Sequence, residues 1–288
     1  MIVKSYFSGA GLFDIGFNQA GINISESFEI DAECCKVQRK NFKHKVTQID
    51  LSQKLVASDM ETDVMIFTYP CTKYSAIADI HGTRTGDELF LHAFRHMAIV
   101  QPEIFIIENV PGMRAFPVVM EAMTKLPGYY VTSFCPIKTE TWLPQRRDRL
   151  IIIGSKKGFN WREPEKLKAT RLKDIIEKDP QVTFPKAIIQ RMKGMYRDLP
   201  IISDPEKDDI APTVLAHYGK DKSTRLLADK RFPMGVRPYS VRECARLQGV
   251  PDSFVFNCSE TSAYRMIGNG VSSPVGLWAG NELNRYFA

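Results

Sequence analysis

Apolar and polar residues alternate with two different periodicities in the first half of the chain. Short apolar runs rich in β-branched residues predict buried strands, and longer amphipathic stretches between them predict helices. The predicted strands are Val3–Phe7, Ser27–Ile30, Val64–Thr68, Ile104–Ile107, Tyr130–Cys135 and Leu150–Ile153. The predicted helices are Leu12–Ala20, Ala32–Asn41, Glu88–Val100 and Pro117–Lys125. This alternation is typical of a doubly wound α/β fold with a mostly parallel sheet.

The periodic pattern becomes weaker after Gly154. Lys, Glu and Pro become frequent there, and predicted strands no longer alternate with predicted helices. We therefore place a domain boundary near Lys157 and predict a smaller, irregular domain over residues 158–262. Apolar residues return at helical spacing in the final segment, which predicts a helix with Ser272 or Ser273 as its N-cap. Because this helix is expected to pack onto the α/β domain, we assign residues 1–157 and 263–288 to one domain.

Net charge, cysteine spacing and the length of apolar stretches indicate the general class of protein. The formal net charge of +6 suits a polyanionic partner such as nucleic acid. The six cysteines show neither a CxxC pair nor another ligand-like spacing, which argues against a zinc site and against a disulfide framework. Neither a secretory signal nor an apolar stretch of about 18 residues is evident, so we expect a soluble, intracellular protein.

A glycine-containing turn, Phe7–Leu12, lies between the first predicted strand and the first predicted helix. Glycines in such a turn allow a nucleotide-like ligand to approach the backbone, although a tight turn also needs glycine for steric reasons. Glu29 and Asp50 lie where the second and third strands are expected to end, and carboxylates there can accept from ribose hydroxyls or an adenine amino group. The pattern indicates an adenosine-containing cofactor, either a dinucleotide or S-adenosylmethionine.

Two further strand ends carry reactive side chains. Cys71 follows Pro70 at the end of an apolar strand, which favours a nucleophile over an inert packing cysteine. Glu108 ends the next strand, where partial desolvation would let it hold a proton near neutral pH; the alternative is a capping or salt-bridged glutamate. Arg147 and Arg149 are expected on one face of a strand, available to a phosphate, a base carbonyl or Glu108 itself.

These motifs, in this order, resemble those of the cytosine-5 DNA methyltransferases, over most of the chain. The matching segments are Phe7–Gly11, Glu29, Asp50, Pro70–Cys71, Glu108–Val110 and Gln145–Arg149. Downstream, Arg237–Pro251 resembles the segment that braces the family's target-recognition domain, and Ile267–Val271 resembles its last cofactor-site motif. Within the first of these, Arg242, Glu243 and Arg246 are spaced to pair with one another on a helix.

The resemblance implies a Rossmann-like methyltransferase fold with a target-recognition domain over residues 158–262. The small module of that domain would extend to about residue 236, followed by the bracing motif at 237–251. The implied reaction transfers a methyl group from S-adenosylmethionine to C5 of a flipped-out cytosine in double-stranded DNA. S-adenosylhomocysteine would be the product, and no metal would be needed. We further expect a monomer in the cytoplasm of a microbe or in a virus-infected cell.

The resemblance also assigns residues to roles. The implied catalytic residues are Cys71, Glu108, Arg147 and Arg149. The implied cofactor-binding residues are Phe7, Ser8, Gly9, Gly11, Leu12, Glu29, Ile30, Asp50, Pro70, Asn269 and Val271. The implied DNA-binding residues are Thr72, Lys73, Ser75, Arg84 and Gln145.

One position departs from the family pattern, because Thr72 follows Cys71 where the family usually has glutamine. The loop after the nucleophile, or its contacts with the DNA backbone, is therefore expected to differ. Two alternatives stay open: a transfer-RNA cytosine-5 methyltransferase on the same scaffold, and a catalytically silent relative that only binds DNA. Restriction–modification, orphan and phage-encoded enzymes of any target sequence would share these motifs.

Overall fold

The structure, a computed structural model, describes residues 1–53, 61–70, 88–165, 170–195, 197–198 and 200–288. Its contacts divide the chain into two compact units. Unit 1 comprises Met1–Lys138, Asp148–Pro164 and Val275–Ala288, and unit 2 comprises Thr139–Arg147 and Glu165–Pro274. The predicted domains differ in three segments, since 139–147 and 263–274 belong to unit 2 by contact and 158–164 belongs to unit 1. Which segments fold together stays a prediction.

Unit 1 is built on a mixed sheet. Its described strands are β1 Val3–Tyr6, β2 Ile24–Glu29, β3 Lys45–Gln48, β4 Val64–Phe67, β5 Ile104–Asn109, β6 Tyr130–Lys138 and β7 Asp148–Ser155. They are ordered β3-β2-β1-β4-β5-β7-β6. Strands β1 to β5 pair in parallel, whereas β7 is antiparallel to both β5 and β6. The predicted α/β fold with a mostly parallel sheet is confirmed.

The helices of this unit follow the predicted pattern closely. They are α1 Leu12–Gln19, α2 Ala32–Asn41, α3 Glu88–Val100 and α4 Pro117–Thr124, with the final helix α9 Ser273–Phe287 contributing from Val275 onward. Helix α9 packs closely against α1 at Gly276, because a Cβ there would lie 2.3 Å from the carbonyl oxygen of Phe13. The predicted return of the C-terminal helix to the α/β domain is therefore observed.

Aromatic stacking fills the centre of the sheet. Tyr6 lies fully buried between Phe28 and Phe67, with ring centroids 4.9 Å away on each side. These residues come from the adjacent strands β1, β2 and β4. The packing fixes the carboxyl ends of three parallel strands, after which the candidate site residues follow.

Beside this core, Asp14 is a buried acid on α1. Its side chain is 1% exposed, and its Oδ1 accepts a hydrogen bond of 2.8 Å from the Ser5 hydroxyl. No hydrogen bond to Oδ2 is found among the described residues. Burial raises the pKa of Asp14 to about 7, and the Ser5 hydrogen bond only partly opposes this rise. The folded protein therefore favours the protonated carboxyl.

Asp14→Asn is expected to remove a pH-dependent loss of stability. Because the pKa of Asp14 is raised in the folded protein, the buried carboxyl does not lower the stability of the wild type below the unfolded pKa, near 3.8. The wild type then loses stability as the pH rises to about 7. The free energy of unfolding of the variant minus that of the wild type should therefore increase by about 1.4 kcal/mol per pH unit as the pH rises. This difference should become constant above neutrality. Urea unfolding of both proteins between pH 5 and 8 measures this, and parallel curves would contradict it.

Unit 2 contains short elements. Its helices include α5 Leu172–Ile175, α6 Lys186–Lys193, α7 Val241–Leu247 and α8 Glu260–Asn269. Strands β8 Ile201–Ser203, β9 Arg225–Ala228 and β10 Val236–Pro238 form a small sheet ordered β10-β9-β8. The sequence predicted an irregular module here. Strands of three and four residues are too short to leave a clear periodic pattern.

A buried ion-pair network surrounds Arg237 in this unit. The fully buried guanidinium donates to both carboxylate oxygens of Glu243 at 2.7 Å and to Oδ2 of Asp229 at 2.8 Å. Arg246 instead pairs with Asp252 at 2.7 Å, and Arg242 donates to backbone carbonyls. The predicted pairing among Arg242, Glu243 and Arg246 is therefore wrong, because Glu243 turns inward to Arg237.

Candidate active site

The glycine turn between β1 and α1 contains three residues with left-handed backbone. Phe7, Gly9 and Gly11 have positive φ angles of 57°, 57° and 79°. A Cβ at Gly11 would lie 2.6 Å from the Phe42 ring, so packing requires glycine there. A Cβ at Gly9 would meet no described atom within 4 Å. Gly9 therefore faces open space, where a ligand could lie directly against the backbone.

Glu29 holds this turn from the end of β2. Its Oε2 accepts from the Gly9 N–H at 2.7 Å, and its Oε1 accepts from the N–H groups of Ile30 and Asp31, both at 2.9 Å. Burial raises the pKa of Glu29, while these three hydrogen bonds oppose the rise. The carboxyl group is thus fixed beside the open space at Gly9.

The other predicted cofactor residues of unit 1 follow strand ends. Ile30 is 59% exposed directly after β2, whereas Leu12 is buried at the start of α1. Asp50 follows β3, and hydrogen bonds from the hydroxyl and N–H of Ser52, at 2.6 and 2.9 Å, lower the pKa of its carboxyl. Pro70 is exposed shortly after β4. The structure thus brings these residues to the carboxyl-terminal edge of the parallel strands.

Asn109 links two strand ends and was missing from the predicted site. Its buried side-chain amide donates to the carbonyl oxygen of Tyr69 at 3.3 Å, and its Oδ1 accepts from the Val110 N–H at 2.9 Å. Thr68, on the same segment as Tyr69, donates to the carbonyl oxygen of Phe7 at 2.9 Å. Residues 68–70 are therefore tied to both β5 and the glycine turn. Asn109 lay inside the matching segment Glu108–Val110, but no role was assigned to it.

Glu108 and Arg149 form a buried ion pair. The Arg149 Nε lies 2.6 Å from Oε1 of Glu108, and the two side chains are only 10% and 8% exposed. Strands β5 and β7 bring them together, with Glu108 opposite Ile151 in the antiparallel register. The pairing that the sequence left as an alternative is therefore present. It fixes a carboxylate and a guanidinium side by side at the edge of the sheet.

An open groove lies among residues that flank this pair in sequence. It has a volume of about 510 Å³, within the range of small-molecule sites. The groove is lined by Pro111, Gly112, Arg114, Ala115, Cys135, Pro136 and Asp148. A planar heterocycle could enter it.

The remaining predicted residues that the structure describes belong to unit 2. Arg147 is 3% exposed, and its guanidinium donates to the carbonyl oxygens of Val214, Gly268 and Gly270 at 3.2, 2.9 and 2.7 Å. It thereby holds the residues on both sides of the exposed Asn269. Val271, two positions further on, is buried. The predicted cofactor contacts of Asn269 and Val271 stay predictions.

Gln145 is fully buried in the same unit. Its amide nitrogen donates to the carbonyl oxygen of Leu247 at 2.6 Å, and its amide oxygen accepts from the Val214 N–H at 3.0 Å. These contacts give Gln145, like Arg147, a bracing role inside unit 2. A DNA contact of Gln145 and a substrate contact of Arg147 stay predictions.

Five predicted residues lie outside the described part of the chain, namely Cys71, Thr72, Lys73, Ser75 and Arg84. Within the part that is described, no group of three or more His, Cys, Asp or Glu side chains has a metal-binding arrangement. The described helices include none that is long and apolar enough to cross a membrane.

Comparison with known sequences gives a match over nearly the whole chain. The family model for C-5 cytosine-specific DNA methylase matches residues 1–284. The Type II methyltransferase M.Bsp6I of Bacillus sp. (strain RFL6) is 26% identical over 311 aligned positions, covering 95% of each chain. The Type II methyltransferase M.Eco47II of Escherichia coli is 29% identical, covering 96% of this chain and 76% of its own.

Solved structures share the fold at low sequence identity. The methyltransferase EhMeth of Entamoeba histolytica superposes with a TM-score of 0.83 at 18% identity, covering 100% of this chain and 99% of its own. The Dnmt2 methyltransferase of S. pombe gives a TM-score of 0.80 at 18% identity, covering 99% of each chain.

Proposed function

The chain belongs to the C-5 cytosine-specific DNA methylase family and is a DNA cytosine-5 methyltransferase, and we propose that it acts on a flipped-out cytosine of duplex DNA through a covalent bond to Cys71. The observation that carries this proposal is the buried Glu108–Arg149 pair with its 2.6 Å contact, since residues near both in sequence line an open groove. A carboxyl and a guanidinium in that arrangement suit the ring nitrogen and carbonyl of cytosine.

S-adenosylmethionine fits the residues of the glycine turn and supplies the methyl group when bound. The open space at Gly9 admits a ligand against the backbone. Oε2 of Glu29 retains a lone pair for a ribose hydroxyl after accepting the Gly9 N–H. The unit 1 residues proposed to hold the cofactor are Phe7, Ser8, Gly9, Gly11, Leu12, Glu29, Ile30, Asp50 and Pro70.

The reaction that we propose starts at Cys71. Its thiolate forms a bond to C6 of cytosine, and the electrons of the C5–C6 double bond move toward C5, which then carries the nucleophilic lone pair. Glu108, protonated before the addition, donates its proton to N3 as negative charge develops on the ring, and takes it back when the C5–C6 double bond forms again. After C5 has gained the methyl group, a general base takes the C5 proton, the C6–S bond breaks and the double bond forms again.

Arg149 is the arginine that we propose for the substrate. It holds the Glu108 carboxylate and keeps other N–H donors that can reach the cytosine carbonyl oxygen. The guanidinium of Arg147 already donates to three backbone carbonyls, which favours a bracing role for it. Base flipping is part of the proposal because C6 of a stacked cytosine is inaccessible, and extrusion costs a few kcal/mol.

Substitutions of Gly9 and Gly11 should have different main effects. Gly9→Ala should chiefly weaken cofactor binding, and Gly11→Ala should chiefly lower the stability of the fold. Gly9→Ala places its methyl group in open space at a φ of 57°, so it should cost about 1 kcal/mol of left-handed strain and weaken binding of S-adenosylmethionine about tenfold. Gly11→Ala forces a methyl group against Phe42 and should lower the free energy of unfolding by about 1–3 kcal/mol. Calorimetric titration and urea unfolding of both variants measure these effects. Equal cofactor affinity of Gly9→Ala and the wild type would contradict the proposed cofactor position.

The product of the reaction tests the proposed function. The purified protein is incubated with unmethylated duplex DNA and S-adenosylmethionine labelled in its methyl group, and the DNA is then digested to nucleosides. The label should appear in 5-methyldeoxycytidine. A parallel incubation with transfer RNA tests the RNA alternative, which label in RNA alone would support. Cofactor and DNA binding without label in either substrate would support the silent relative and overturn the proposal.

A further inference from the structure

Gln38 is a fully buried amide on α2 whose hydrogen-bonding groups face the glycine turn. Its Nε2 donates to the Ser8 hydroxyl oxygen at 2.8 Å and to the Gly9 carbonyl oxygen at 2.6 Å. Its Oε1 accepts from the Ser27 hydroxyl at 2.6 Å. Both N–H donors of the amide are thus used on two adjacent residues of the turn.

These contacts fix Gly9 from two sides. Gln38 holds its carbonyl, and Glu29 accepts from its N–H at 2.7 Å. Ser8 is in turn bound to β2, because its hydroxyl and its N–H both donate to the Phe28 carbonyl oxygen, at 3.3 and 3.2 Å. Gly9 has a φ of 57°, so the two peptide groups beside it are held in a left-handed conformation by buried side chains.

A second layer orients the Gln38 amide. The Nε2 of His44 lies 3.1 Å from the Ser27 hydroxyl oxygen, and burial lowers the pKa of His44 to about 4. The ring is therefore neutral at physiological pH. Since Ser27 donates its proton to Gln38, it accepts from His44, which fixes the amide oxygen of Gln38 toward β2 and its nitrogen toward the turn.

We propose that Gln38 is a positioning residue for S-adenosylmethionine, acting through Ser8 and Gly9 to hold the turn in its binding shape before the cofactor arrives. The inference rests on the proposed function. A turn that is already ordered loses less conformational entropy on binding, so its affinity for ligand is higher. Gln38 lies in none of the segments that resemble family motifs.

Gln38→Met tests the proposal, because it keeps a long, unbranched side chain and removes both N–H donors. Calorimetric titration of S-adenosylmethionine into the protein without DNA should give a dissociation constant about tenfold higher than that of the wild type. The kcat at saturating cofactor and DNA should stay within about threefold, because the reacting residues are untouched. Asn41→Ala is the matched control, since the Asn41 amide on the same helix donates at 2.8 Å to the Val37 carbonyl oxygen.

A second variant keeps the test informative if Gln38→Met folds poorly. Ser27→Ala retains both donors of Gln38 and removes the bond that orients them, so the dissociation constant should rise by a smaller factor. Wild-type affinity in Gln38→Met and Ser27→Ala, or an equal loss in Asn41→Ala, would overturn the role of Gln38. A wild-type protein that does not bind S-adenosylmethionine at all would instead overturn the proposed function, and this inference with it.

Discussion

Cys71→Ala is expected to lower the rate of methyl transfer to DNA by about 10⁴-fold or more while leaving the affinity for S-adenosylmethionine unchanged. Cytosine C5 is a poor nucleophile, and only addition of a thiolate to C6 makes it reactive. Alanine cannot form that bond. Initial rates with labelled cofactor and calorimetric titration of the cofactor measure the two quantities separately.

A substrate with fluorine at C5 of the target cytosine isolates the covalent step. After methyl transfer, this carbon has no proton to lose, so the C6–S bond cannot break by the normal route. The wild type should form a protein–DNA adduct that survives denaturing electrophoresis, and Cys71→Ala should form none. Cys258→Ala, which removes a partly exposed cysteine of unit 2, is the matched control. Adduct formation by Cys71→Ala would assign the nucleophile to another residue.

The strongest periodic segments determined how much of the fold the sequence could predict. The helix Ala32–Asn41 has the predicted bounds, the helix Glu88–Val100 ends at the predicted residue, and β1, β4 and β5 lie within a few residues of theirs. Long apolar runs and helical spacing are local signals, so they survive without tertiary information. Strand β3, Lys45–Gln48, and the small sheet of unit 2 have weak local patterns and depend on pairing with distant strands.

The candidate site divides in the same way. Gly11 follows β1, and Glu29 and Glu108 lie at the ends of β2 and β5, where topology alone brings side chains to one edge of the sheet. The contacts of Arg147 could not be predicted, because the carbonyl groups of Gly268 and Gly270 lie 121 and 123 positions further along the chain. Glu243 was likewise assigned neighbours on its own helix, although its partner Arg237 precedes that helix.

Arg237→Ala is expected to lower the free energy of unfolding by about 3–5 kcal/mol. The substitution leaves Glu243, which is fully buried, without its bidentate partner, and removes one of two arginines from Asp229. Removing one member of a buried ion pair leaves the other charge without a partner in an interior that solvates it poorly. Urea unfolding followed by circular dichroism measures the loss.

Arg231→Ala provides the matched control, because Arg231 binds the same Asp229 carboxylate at 2.7 Å from an exposed position. Water solvates Asp229 after that change, and Arg237 remains to pair with it, so the loss of stability should be much smaller. Combining Arg237→Met with Glu243→Leu should recover part of the stability, because neither charge is then left unpaired in the interior. Equal losses in Arg237→Ala and Arg231→Ala would mean that burial of the network does not govern its energy, and the bracing role of this segment would then rest on packing alone.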